Sequence, residues 1–174
     1  MIRFALPFVI FLLFLMEGTW FQIFVPPSPE RDIVLVPRLV LVAVVLTSIY
    51  RGAGSGVLIG AGFGLLYDIV YTDLIGIYMF SMGFTAYLSS FTYMAVRTSY
   101  WWQFLIIIGA IFILEWLTYG LHYVIGYTDM LFEEFFILRL LPSWVLNGTV
   151  ALLLLYPFQR FFQRLRELED LQQR

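Results

Sequence analysis

The stretch WWQFLIIIGAIFILEWLTYGLHYVI, residues 101–125, carries a single formal charge, at Glu115. A helix rises about 1.5 Å per residue, so about 20 apolar residues cross a hydrocarbon layer. In lipid every backbone polar group needs an internal partner, which leaves helices and closed barrels. Apolar runs without polar alternation select helices. Working outward, five more stretches read the same way, near 4–25, 34–50, 54–71, 75–96 and 139–158. The expected fold is an all-α integral membrane bundle of six transmembrane helices over residues 1–158. A cytoplasmic amphipathic tail is expected over 159–174.

The whole chain agrees with that reading. Of its 174 residues, 61% are hydrophobic and 13% charged, with a mean hydropathy of +0.89, whereas soluble domains run near 45–50% apolar and about 25% charged. Aromatic residues, 20% of the chain, suit hydrocarbon and its interfaces. The first apolar run exceeds the roughly 7–15 residues of a signal-peptide core and no small-x-small cleavage site follows it, so it is expected to stay as an anchor.

Composition also removes function classes. There is no Cys and one His, so thiolate metal sites, disulfide frameworks, Cys nucleophiles and multi-histidine centres are excluded. All ten basic residues are Arg; without Lys there is no Walker-type phosphate loop and no Schiff base. Scattered arginines in a chain of net charge −2 offer nucleic acid no basic patch. No cofactor, metal or catalytic residue is expected.

Counting arginines orients the bundle. With a cytoplasmic N-terminus, Arg3, Arg51, Arg97, Arg160, Arg164, Arg166 and Arg174 lie inside, and Arg31, Arg38 and Arg139 lie outside or at outer helix ends. That bias favours both termini inside.

Within the third span, RGAGSGVLIGAGFGLLYD (51–68) places Gly52, Gly56, Gly60 and Gly64 four residues apart, with Asp68 next on the same ridge. Such a ridge lets another helix approach to backbone distance, either inside the bundle or at an interface with another subunit.

Ionisable residues inside the spans are Glu17, Arg38, Asp68 and Glu115, with Arg139 at a helix entrance. Counted from the inner helix ends, the first four stand at one level, ~20 Å up. An unpaired charge there costs at least ~2.5–3.5 kcal/mol. An ionic cluster is therefore expected, with Arg38 bridging two of the three carboxylates and the third protonated, hydrogen-bonded or paired with Arg139. Structural bracing or a partner seam, an ion or solute path, and snorkelling without consequence are the readings it leaves open.

Polar stripes support an inward face: Glu115, Thr118, Tyr119 and His122; Arg139, Ser143 and Asn147; and Ser81, Thr85, Ser89 and Thr92. Ser55, between Gly54 and Gly56, and His122 are the residues an intramembrane serine protease would need together. The topology separates them by some 30 Å, so His122 reads as a satisfied core or interfacial residue. In the tail, Phe158, Phe161, Phe162, Leu165 and Leu168 share one helical side; it either finishes the last helix or docks a cytoplasmic protein.

Four segments carry a family resemblance: RFALPFVIFLLFLMEG (3–18), LVPRLV (35–40), GFGLLYDIVYTDLIGIYMF (62–80) and LRLLPSWVLNGTVALLLLYPF (138–158). In this order, over nearly the whole chain, they resemble the rod shape-determining protein MreD family of Gram-positive rods. The resemblance implies a non-enzymatic scaffold of the cell-elongation machinery. It further implies binding of the single-span protein MreC, which connects MreB filaments with RodA and a class B penicillin-binding protein. It also implies a fold similar to the substrate-binding S component of energy-coupling-factor transporters. Glu17, Arg38, Gly60, Gly64, Asp68, Gly76, Arg139, Pro142 and Asn147 match the family pattern, with fold-defining or partner-facing roles. The alternative is a solute-binding transport subunit using the polar stripes as a pocket.

Overall fold

The computed structural model describes residues 4–24, 35–91 and 99–172, without the side chains of 20–24, 166 and 169–172. The proline turn at 26–29, Thr92 and the arginines at 3, 31, 97, 166 and 174 lie outside these limits. Among the described residues all regular structure is helical. The elements are α1 (Ala5–Phe24), α2 (Leu39–Arg51), α3 (Ala53–Tyr71), α4 (Ile77–Ser90) and α5 (Tyr100–Ile125). The last, α6, joins a turn, Phe132–Glu134, a π-helical segment, Phe135–Leu140, and a long run, Leu141–Gln172.

The short α2 is the centre of the bundle. Every residue from Val40 to Tyr50 is buried, and α1, α3, α4, α5 and α6 all pack against it. The sequence LVLVAVVLTSIY is apolar all round, as a helix enclosed on every side must be. Its two aliphatic hydroxyls are satisfied locally, Thr47 donating to Ala43 O at 2.7 Å and Ser48 to Val44 O at 3.1 Å.

Six full spans are not what the described helices present. Three have the length and apolarity to cross a hydrocarbon layer: Ala53–Tyr71, Tyr100–Ile125 and Phe132–Leu165. The helical part of α2 is 13 residues long, about 20 Å, because Leu35–Arg38 enters it as non-helical chain. Proline forces this break: Pro37 disfavours helical geometry at Val36.

The glycine ridge is used inside the chain. A side chain at Gly56 would strike Ser48 of α2, one at Gly60 would meet Val44, Ala86 and the Met82 carbonyl, and one at Gly64 would strike the Tyr78–Met79 backbone of α4. Gly52 does not share this role. Nothing stands within 4 Å of its Cβ direction, and its φ of +87° makes the α2–α3 turn.

Helix α6 begins at Phe132, earlier than the expected 139, and runs unbroken past Phe158. Its widened turn precedes Pro142, whose ring would clash with the Leu138 carbonyl in a regular α-helix. The tail begins as part of the bundle: Phe158, Phe162 and Leu165 are buried, and Phe162 stacks on Tyr50 at 4.8 Å.

Candidate functional site

The non-helical entry to α2 ends in buried chain at Pro37 and Arg38, and its backbone polar groups need partners there. They come from α6. Val36 N–H donates to Ser143 Oγ at 3.2 Å and Arg38 N–H to Asn147 Oδ1 at 2.7 Å. Asn147 Nδ2 donates in turn to Val36 O and Ser143 O, at 2.7 and 2.8 Å. From α1, Glu17 Oε2 accepts the Val40 N–H at 3.2 Å, satisfying one of the orphan donors at the head of α2.

Arg38, whose backbone this cradle fixes, is 1% exposed. Its Nε donates to Glu115 Oε1 of α5 at 2.8 Å, and Nη2 lies 2.7 Å from the same oxygen in an ion pair. Nη2 also donates to Tyr78 Oη at 3.2 Å, and the guanidinium stands 5.2 Å from the Tyr78 ring centroid. On the far side of Glu115, Arg139 Nε lies 3.4 Å from Oε2. The π-helical turn of α6 that contains Arg139 adds a residue per turn locally and so resets which side chains face α5.

Asp68 follows a different logic. Oδ2 accepts N–H groups of Gly76 and Met79, at 2.8 and 3.0 Å, and Oδ1 accepts that of Tyr78 at 2.8 Å. One carboxylate thus caps the first turn of α4, where the helix dipole also favours negative charge. Gly76, at φ +113°, adopts the left-handed geometry that lets the chain turn back over Asp68.

The bridging expected of Arg38 is thereby corrected. Arg38 pairs with Glu115 alone among the three carboxylates; Asp68 is engaged by α4 amides and Glu17 by the head of α2. Arg139 pairs with Glu115 and not with a surplus carboxylate. Buried helix starts compete for carboxylates because an unpaired buried N–H group is itself costly, by roughly 2–7 kcal/mol on transfer scales. The groups still form one connected network, since Tyr78 receives Arg38 through its hydroxyl and gives its N–H to Asp68.

The polar stripes divide. Ser143 and Asn147 bind α2 as described, whereas Thr85, Ser89 and Thr118 return their hydroxyls to Ser81 O, Thr85 O and Leu114 O of their own helices. Such back-bonds satisfy these hydroxyls within their own helices. His122 Nδ1 lies 2.6 Å from Thr118 O in the last turns of α5, and Ser55 is in the first turn of α3.

Two cavities flank the network. One, of about 250 Å³, is lined by Glu17, Arg38, Tyr67, Tyr71 and Tyr78 with the 35–37 segment. The other, of about 320 Å³, borders Arg139, His122 and Tyr119, and shares Tyr71 and Tyr78 with the first.

Residues missed in the sequence reading form a second buried polar link. Gln159 Nε2 donates to Gln103 Oε1 at 2.7 Å, and Gln103 Nε2 to Tyr50 Oη at 3.0 Å, tying α6, α5 and α2. The available signal was an amide in each of two apolar stretches.

The family model for the rod shape-determining protein MreD matches residues 2–165. The chain belongs to the MreD family. It is 34% identical over 169 residues to the rod shape-determining protein MreD of Bacillus subtilis (strain 168), covering 97% of this chain and 98% of that protein. No solved structure matches. In this MreD-family chain Glu17, Arg38, Asp68, Glu115, Arg139 and Asn147 all participate in the network. Pro142 borders the π-helical turn, and Gly60 and Gly64 seat α3 against α4.

Proposed function

We propose that this chain is a non-enzymatic membrane scaffold of the cell-elongation complex, binding MreC and helping couple MreB filaments to RodA and a class B penicillin-binding protein. It resides in the cytoplasmic membrane as a multi-pass bundle with both termini cytoplasmic, the orientation the arginine bias favours. The six-span, S-component-like architecture stays part of this proposal: α1 and α2 supply shorter apolar helices beside the three long ones, and α4 is the sixth helix.

The observation that carries the reading is family membership over nearly the full length of both chains. The network supports it, because its charged groups bond one another and backbone amides, a use suited to holding helices in register. Broad apolar faces, including Phe8 and Phe11 of α1, Phe4 just before it, and Leu152 and Leu153 of α6, are exposed to the surroundings. Within lipid such surfaces associate through packing and interhelical hydrogen bonds.

Affinity purification of the tagged full-length chain from native membranes tests this. A single-span protein is expected at a fixed ratio, with rods becoming round when the chain is depleted. Recovery of a tightly held small solute with no protein partner and unchanged cell shape would instead establish the solute-binding alternative.

A further inference from the structure

The cavity of about 320 Å³ lies where the ends of α3 and α5 meet the start of α4, the 126–131 turn and Arg139. Most of its hydroxyl protons are committed. Thr72 donates to Asp68 O and Leu74 O, Thr118 to Leu114 O, Tyr119 to Met130 O and Tyr127 to Asp73 Oδ2. Tyr78 Oη accepts from Arg38, which leaves its own proton free to donate. No Asp or Glu is among the lining residues.

Arg139 is the charged group of this lining. Its Nε leans on Glu115 Oε2 at 3.4 Å, outside hydrogen-bond geometry, and Glu115 is held more closely by Arg38 through its other oxygen. With a third of the side chain exposed, the terminal amino groups have no bonded partner among the described residues. A guanidinium offers a planar fork of donors that matches phosphate or carboxylate oxygens, and its attraction for an anion grows where water is scarce.

We propose that this cavity is an oxyanion site for a phosphate group, with Arg139 as its charged contact and the Tyr78 O–H as a second donor. The phosphate comes from an anionic lipid headgroup or from a soluble ion. The site stands on its own geometry and does not depend on which protein partners the chain has.

The test is thermal unfolding of the full-length chain in nanodiscs of phosphatidylcholine alone, with phosphatidylglycerol added, or with inorganic phosphate added at constant ionic strength. A rise of several degrees with phosphatidylglycerol only assigns the site to a lipid headgroup; a rise with inorganic phosphate assigns it to the soluble ion. Arg139→Gln abolishes the rise but also unbraces Glu115. Thr128→Trp is therefore the second variant: it fills the cavity from the 126–131 turn, keeps every charge and leaves the ion pair in place. Loss of the rise in Thr128→Trp supports the site. No rise with either phosphate source, or an undiminished rise in Thr128→Trp, overturns it.

Discussion

Arg38 and Asn147, 109 positions apart, are joined by a 2.7 Å hydrogen bond from the Arg38 backbone N–H to the Asn147 side chain. The amide does two jobs at the break before α2, accepting from Arg38 and donating to Val36 O at 2.7 Å. Replacing it with an apolar isostere strands a buried donor and a buried acceptor, each costing about 1–3 kcal/mol. Asn147→Leu is expected to lose roughly 2–4 kcal/mol, read as an earlier transition when unfolding in mixed micelles is followed by tryptophan fluorescence. Asn147→Asp keeps the acceptor and is expected to fall between the two.

Gly64 and Gly62 are two residues apart on α3 and differ in what they face. A side chain at Gly64 runs into the α4 backbone, while nothing lies within 4 Å at Gly62. Backbone cannot move aside as a flexible side chain can, so Gly64→Ala is expected to cost about 1–3 kcal/mol as overpacking. Gly62→Ala is expected to be neutral or stabilising by up to ~1 kcal/mol from helix propensity. Parallel thermal unfolding of the two variants checks the contrast; equal behaviour would mean that α3 and α4 are not in backbone contact.

Asp68 accepts three α4 N–H groups. Asp68→Ala is expected to fray the first turn of α4, costing at least the 0.5–2 kcal/mol of an ordinary cap, with faster amide exchange at Gly76, Tyr78 and Met79. Protection unchanged at those three amides would contradict the capping role.

At the loop end, Tyr127 donates to Asp73 Oδ2 at 2.7 Å. That bond, and the negative charge behind it, raise the Tyr127 pKa above its usual 10.0. The neutral phenol is the form the folded state favours, so its stabilising effect is full below the unfolded value and disappears as pH rises through the higher folded one. In an ultraviolet titration, Asp73→Ala is expected to bring phenolate absorbance in at lower pH, and a Tyr127→Phe background is expected to remove that difference.

Much of this arrangement was readable from the chain. A charge in an apolar run must find a partner, which is why Glu17, Arg38, Asp68 and Glu115 marked a network before any helix was placed. Their pairing was not readable, because depth along a helix gives no information about which way a side chain points around it. Two local breaks also changed the accounting. Val36-Pro37-Arg38 interrupts the second span and exposes backbone groups that claim Glu17, Ser143 and Asn147. The Thr72–Gly76 turn does the same for Asp68. Both breaks have sequence signals, proline in one and Thr-Asp with a following glycine in the other, but hydropathy averaged over a span conceals them. The glycine ridge gave its spacing directly, while Gly52 was misplaced on it because a turn glycine and a ridge glycine look alike at four-residue intervals.

Arg38 and Glu115 meet at 2.7 Å with both side chains almost wholly buried. Removing one partner from such a pair leaves a bare charge and typically costs about 3–5 kcal/mol, whereas removing both relieves that penalty. A double-mutant cycle over Arg38→Met and Glu115→Leu, read by unfolding in mixed micelles, measures this dependence directly. The expected result is strong non-additivity, with the double variant more stable than the summed losses imply by about 1.5–3 kcal/mol. Additive losses, within ~0.5 kcal/mol, would show that the two residues do not hold the central helix together.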